Sequence, residues 1–213
     1  MIYVFCKRLI DIIGSLVLII FFLPVLLITA ILIKITSPGP IFADTPKRVG
    51  KDGKRFYPFK FRSMIANAYD LLRTDPRFAK AYKEQQESGV YKIKDDPRVT
   101  NIGKFIRKHS IDEVPQLFNV LKGEMSIVGP RPYYPEELKK QLKNYPKTKS
   151  LIDRMQKVKP GITGYWQVSG RSNVAFDKRI EMDAYYADKR SLLLDILILL
   201  KTPWVMVTGK GAH

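Results

Sequence analysis

The chain has 213 residues, 46% of them hydrophobic, which is enough for a buried core and excludes a disordered protein. Its 37 Lys and Arg against 20 Asp and Glu leave a net charge of +17, which favours an anionic partner: nucleic acid, anionic lipid or a phosphorylated substrate. Cys6 is the single cysteine, so no internal disulfide forms, and His109 and His213 lie too far apart for a zinc cluster.

No charge interrupts the stretch from Ile12 to Ile33, which is long enough to span a bilayer. Lys7 and Arg8 would suit the basic end of a signal peptide, but the run is too long for a signal core and no small-x-small cleavage site follows. Lys34, Lys47 and Arg48 follow the run, and the positive-inside rule keeps both flanks in the cytoplasm. Pro24, in mid-run, removes a backbone donor and bends a helix. The reading is a re-entrant membrane helix hairpin over residues 1–36, broken at Pro24, that enters and leaves one leaflet; a straight span is the alternative. Residues 37–213 form a cytoplasmic domain.

Ser37-Pro38-Gly39-Pro40 is a tight turn, and Val49 to Lys54 reads as a hairpin centred on Asp52-Gly53. Phe56 to Phe61 suits a short strand leading to Lys60, Arg62, Ser63 and Met64. Residues 65–88 are helical, with a break at Pro76. After a turn at Asp95 to Arg98, Thr100 caps a helix with Ile102, Phe105 and Ile106 on its apolar face. Ser110 starts the next helix, whose apolar face is Val114, Leu117, Phe118 and Leu121 and whose stop is Gly123. Met125 to Val128 is a buried strand, Lys159 to Gly164 a loop and 175–190 a helix. The run Leu192–Leu200 is apolar except for Asp195, and lies either in the membrane interface or in the core. Lys139, Lys140, Lys143, Lys147 and Lys149 make a solvated face or a contact for anionic headgroups; Trp166 is core or an interface anchor. The fold class is α+β, mostly helical, with short strands and interfacial helices.

The chemistry concentrates at Asp112-Glu113. With Ser110 as N-cap, Ser-x-x-Glu is a capping box, a purely structural reading. The same geometry also suits phosphate chemistry. A helix start lowers a carboxylate's pKa and aims N–H groups at an anion. An ionised Asp112 can then attack phosphorus to give an acyl phosphate. Mg²⁺, held by Glu113 and phosphate oxygens with Asp112 beside it, would offset the charge. Arg107 lies five residues before Asp112, and Arg131 is held between Pro130 and Pro132, which restrict the backbone on both sides.

These pieces resemble the bacterial sugar transferase family, the monotopic polyprenyl-phosphate phosphoglycosyl transferases. The matching residues are Lys7-Arg8 with the proline-broken helix, Ser37 to Pro40, Arg48-Val49-Gly50, Lys60 to Met64, Asp96 to Thr100, Ser110 to Gln116, Gly123 to Ser126 and Val128 to Pro132. Farther on, Lys159 to Gly164 and Trp166 to Arg171 resemble the larger members, which carry extra membrane helices and a domain ahead of the catalytic part; the likeness is greatest to undecaprenyl-phosphate galactose phosphotransferases. The resemblance implies Asp112 as nucleophile and Glu113 as its Mg²⁺-associated partner. It also implies Arg107, Arg131, Lys60, Arg62 and Arg98 at substrate phosphates, a UDP-sugar donor, a polyprenyl phosphate acceptor, surrounding membrane lipids and a place on the cytoplasmic face of a bacterial inner membrane. Thr45-Pro46-Lys47 departs from the family's usual Gln/His and Glu there, so no role passes to that loop.

Two other classes fit the composition: a membrane-tethered nucleic-acid binder, for which no helix-turn-helix, zinc finger or RNA-recognition motif is found, and a catalytically inactive scaffold. The expectation is an enzyme without a nucleic-acid partner. The sugar, the prenyl length, the pathway and the oligomeric state, a homodimer included, are left open by the residues.

Overall fold

The computed structural model describes residues 2–88, 93, 95–170 and 174–208. The structure is mostly helical, with two small two-stranded sheets. Helix α1 (Ile2–Thr36) is one continuous helix with Pro24 inside it. The expected break is therefore not a loop: the chain stays helical through Pro24. By length and composition α1 could cross a membrane. It leaves Ile13, Val17, Ile20, Phe21 and Ile28 exposed.

Both halves of α1 nevertheless meet the rest of the molecule. In the first half, Arg8 donates to the Val120 and Leu121 carbonyls (2.7 and 2.9 Å) at the end of α5 (Leu117–Lys122), a favourable site for a cation at a helix C-terminus. Asp11 Oδ1 accepts from Ser126 Oγ and the Ile127 amide (2.9 and 3.0 Å). In the second half, Ile33 packs with Phe61 and Ile106.

The hairpin forms as its turn residues predict: β1 (Arg48–Val49) pairs antiparallel with β2 (Arg55–Phe56) across Asp52, at φ 53°, and Gly53. The strand expected over 56–61 is shorter; Phe61 is instead bridged to Phe42, and the two rings stack at 5.6 Å. Helices α2 (Ala68–Thr74) and α3 (Ala79–Ser88) flank the break at Pro76. Thr100 caps α4 (Asn101–Lys108) by accepting from the Gly103 amide at 3.0 Å. Phe105 and Phe118, expected on buried faces, are exposed, while Gly103, Asn119 and Val120 take the inward positions.

The segment expected as loop at 159–164 contains β4 (Gly161–Thr163), parallel to β3 (Ser126–Val128). The backbones approach so closely that a Cβ at Gly161 would lie 2.1 Å from the Gly129 amide. Only glycine permits that approach. The helices α7 (Lys149–Met155) and α8 (Tyr165–Ser169) pack against α9 (Phe176–Lys189), and α6 (Pro135–Asn144) adds Leu138 to the core cluster shared by α7 and α9. Last comes α10 (Leu192–Thr208), longer than the apolar run that predicts it. It buries Ile198 but exposes Leu193, Ile196, Leu200, Trp204 and Val207. Its one early acid, Asp195, is buried and receives Lys7 Nζ at 3.0 Å and the Tyr186 hydroxyl at 2.6 Å.

Candidate active site

Asp112 and Glu113 do not sit in a capped α-helix. Ser110 adopts the left-handed conformation (φ 57°, ψ 22°) and makes no capping bond, and residues Ile111–Gln116 form a 3₁₀ helix. Pro115, within this segment, has no amide to give an α-helical ladder. Released from a capping role, the Glu113 carboxylate meets Lys60 Nζ at 3.0 Å, and Asp112 Oδ2 meets the same nitrogen at 2.9 Å. Asp112 is buried, at 3% exposure.

Lys60 is placed by the backbone around it. The Phe61 amide donates to the Asp112 carbonyl (3.0 Å), and the Ala43 amide to the Lys60 carbonyl (2.8 Å). Upstream, the fully buried Asn119 accepts from the Phe59 amide (2.8 Å) and donates to the Tyr57 carbonyl (2.8 Å). The extended 57–61 segment is thus fastened to the 3₁₀ helix and α5. Asn119 escaped the sequence reading, because its partners lie some sixty residues away.

Burial pushes the Asp112 carboxyl up from the usual aspartate range, against the pull of Lys60 and with Glu113 reinforcing the rise. The sequence pointed to a lowered value, from a helix start; burial outweighs that. For Lys60, burial opposes its charge, but Asp112 and then Glu113 overcome it and raise its pKa, so the ammonium is kept charged.

Two carboxylates on adjacent residues therefore converge on one cation. Among the described residues, no group of three or more His, Cys, Asp or Glu is placed to hold a metal. The pair is still a hard-oxygen donor set of the kind that holds Mg²⁺ when phosphate oxygens complete the shell, and the Lys60 ammonium marks where a cation is welcome.

The dyad opens into a cleft of about 1500 Å³. Its lining includes the cations Arg48, Lys104, Arg107, Arg131 and Arg179, and also the apolar side chains Leu18 and Phe22 of α1 with Leu199, Pro203 and Met206 of α10. Charged and apolar surfaces thus face one space. Arg107 reaches Asp112 electrostatically and favours its ionised form. The Arg131 guanidinium lies 5.8 Å from the Trp166 ring centre, with Arg179 over the same ring at 5.1 Å. Trp166 is a buried wall of the cleft, not an interface anchor.

Two predicted phosphate ligands are otherwise engaged. Arg62 donates to the Ser37 carbonyl and hydroxyl and to the carbonyls of Pro38 and Pro40, at 2.5–2.9 Å, fixing the turn that ends α1. Arg98 forks onto Asp96 (2.6 and 2.8 Å) and donates to the Ala68 carbonyl, with both side chains 4% exposed. These bonds take up both guanidinium groups, and both side chains also line the cleft. Arg48, read in the sequence only as a flanking charge and a motif residue, lies buried on the cleft with its guanidinium 3.2 Å from the Tyr134 ring centre and donates to the Pro132 carbonyl.

The chain is similar to known proteins along nearly its whole length. A UDP-galactose-lipid carrier transferase of Erwinia amylovora is 42% identical over 213 residues, covering 98% of this chain and 42% of that protein. An undecaprenyl-phosphate galactose phosphotransferase of Salmonella typhimurium is 41% identical over 213 residues, again covering 98% of this chain and 42% of the relative. The exopolysaccharide production protein ExoY of Sinorhizobium fredii is 36% identical over 211 residues, covering 97% of this chain and 88% of that protein. The chain therefore spans less than half of the first two relatives and most of the third. The family model for bacterial sugar transferases matches residues 2–209, from the apolar helix to the end of α10. With that match and these relatives, the chain belongs to the bacterial sugar transferase family.

Proposed function

We propose that the chain transfers a sugar 1-phosphate from a UDP-sugar to a polyprenyl phosphate, through a phosphosugar held on Asp112, and so starts assembly of a glycoconjugate or exopolysaccharide. The observation that carries this reading is the placement of Asp112. A buried carboxylate lies beside an ammonium at 2.9 Å, at the edge of a cleft whose lining includes both cationic and apolar side chains. A diphosphate needs the cations and a prenyl chain the apolar side chains.

In the first step an Asp112 oxygen attacks the sugar-bearing phosphorus. An O–P bond forms, the bond from that phosphorus to the bridging oxygen breaks, and UMP leaves with that oxygen. In the second step an oxygen of polyprenyl phosphate attacks the same phosphorus, the acyl phosphate bond breaks, and the Asp112 carboxylate is regenerated with release of a polyprenyl-diphosphate sugar. Lys60 holds Asp112 in place and neutralises charge as the anionic donor approaches. Arg107 and Arg131 bind phosphate oxygens, Arg131 with its backbone fixed by flanking prolines. Glu113, with Asp112, would hold Mg²⁺. When bound, Mg²⁺ supplies charge neutralisation at the phosphates. Donors named for the relatives include UDP-galactose, and a hexose 1-phosphate from UDP-galactose or UDP-glucose is the leading candidate.

The same reading seats the protein on one leaflet of the inner membrane, at its cytoplasmic face, with residues 1–36 as the membrane segment and 37–213 as the catalytic domain. Its support is that Arg8 and Asp11 on one half of α1, and Ile33 on the other, all meet a single catalytic body. A helix pinned at both halves to one body favours a monotopic, re-entrant seat bent near Pro24 over a crossing to the far side. The exposed apolar faces of α1 and α10 then lie in lipid.

The test is UMP release by the purified protein in nanodiscs with Mg²⁺, undecaprenyl phosphate and a panel of UDP-sugars. Release that requires both the lipid and one UDP-sugar supports the reading. Absence of release with every donor, from folded protein, contradicts it.

A further inference from the structure

The mechanism leaves one fully buried acid without a task. Asp183, in the middle of α9, has 0% exposure. Its Oδ2 accepts from the Arg131 backbone amide (3.3 Å) and from the Tyr133 hydroxyl (2.9 Å); its Oδ1 is buried and has no hydrogen-bond partner. Leaving a carboxyl in such a place is costly unless the contacts it makes are worth keeping.

Those contacts all fall on one segment. From Gly129 to Tyr133 the backbone is fastened on two other sides. The Gly129 amide donates to the Thr163 carbonyl (2.9 Å), the Gly161 amide to the Pro130 carbonyl (2.8 Å), and the Val49 amide to the Tyr133 carbonyl (3.0 Å). Pro130 and Pro132 have no amide to give, so the Arg131 amide is the one donor between them, and Asp183 is its acceptor. The Arg131 guanidinium, meanwhile, sits on the cleft near Trp166. The segment is held by sheet backbone at its ends and by a side chain at its centre, where the functional arginine branches off.

We infer that Asp183 is a positioning residue for Arg131: from α9 it fixes the backbone from which the guanidinium reaches a nucleoside diphosphate. This rests on the reading of the cleft as a UDP-sugar site. Asp183 touches neither donor nor lipid. It acts by removing the freedom of the Pro130-Arg131-Pro132 backbone, so that the guanidinium meets the phosphates without an entropic cost on binding.

A double-mutant cycle tests this, read as the affinity for UDP with Mg²⁺ by calorimetry on the full chain in nanodiscs. Asp183→Ala should weaken UDP binding on the order of tenfold, the scale of one well-placed hydrogen bond. In an Arg131→Ala background the same change should have no further effect, because the group it positions is gone. Asp183→Asn, which keeps a carbonyl oxygen for both donors, should regain most of the lost affinity. Asp183→Leu, which removes the acceptors while keeping the volume, carries the same cycle should the alanine variant not fold. If Asp183→Ala or Asp183→Leu weakens UDP equally with and without Arg131, Asp183 serves the fold in general and the inference is overturned. If wild-type protein binds no UDP, the reading of the cleft fails first.

Discussion

Lys60 Nζ stands 2.9 Å from Asp112 Oδ2, close enough for a charge-assisted hydrogen bond to the candidate nucleophile. The contact ties the most chemically committed carboxylate of the chain to the extended segment at 57–61. Lys60→Met should therefore lower turnover about a hundredfold, the scale of losing one preorganised electrostatic contact. The readout is UMP release at saturating donor; a change of less than twofold would remove Lys60 from the mechanism.

Arg98 and Arg107 provide a contrast. Arg98 is locked to Asp96 with both side chains 4% exposed, so Arg98→Ala leaves a buried carboxylate unpaired. It should cost about 3 kcal/mol of stability, seen as a lower denaturation midpoint. Arg107 lines the cleft, so Arg107→Ala should leave the midpoint within about 0.5 kcal/mol of wild type and cut turnover instead. Equal stability losses in both variants would contradict this division.

How legible was this in the sequence? Local signals worked where their causes are local. Thr100 caps α4, Asp52-Gly53 turns the hairpin, and Gly123, at φ 81°, ends α5. The dyad and the proline-held arginine were legible as a motif. What failed depended on distant partners. Arg62 looks like a phosphate ligand until Ser37 to Pro40 fold onto it. β4 reads as loop because Pro160, Gly161 and Gly164 are turn residues, and its strand character comes from pairing with β3. Ser110 fits a capping box on spacing alone, yet its left-handed backbone and the nearby Pro115 lead into a 3₁₀ turn.

The environment of Asp183 predicts a pH dependence of stability. Burial pushes its carboxyl from the ordinary 3.8 up to about 8, although the bonds from Tyr133 and Arg131 oppose the rise. Below about pH 4 both folded and unfolded chains hold the proton, and the site carries no penalty. Between pH 4 and about 8 the unfolded chain releases the proton while the folded one keeps it, so stability falls as pH rises, by at most about 1.4 kcal/mol per unit. Asp183→Asn has no proton to lose. Its melting temperature relative to wild type should climb steadily from pH 5 to pH 8. A constant difference across that range would show that Asp183 does not titrate in this way.

The contacts of α1 predict its topology. Asp11 accepts two hydrogen bonds from β3, and Arg8 caps α5. With Cys6 as the only native thiol, membrane-impermeant maleimide should label Cys6 and, in a Cys6→Ser background, a variant with Thr36→Cys at the exposed end of α1, from the same side of sealed vesicles. Labelling from opposite sides would establish a straight span and sink the re-entrant seat.

In the proposed reaction Asp112 carries the phosphosugar. The most direct measurement is intact-protein and peptide mass spectrometry after incubation with Mg²⁺ and the active UDP-sugar in the absence of polyprenyl phosphate. A sugar-phosphate adduct should appear on the peptide containing Asp112, matched by an equal amount of UMP and absent from Asp112→Asn. Lipid-dependent turnover with no adduct on that peptide, or undiminished turnover by Asp112→Asn, would contradict it.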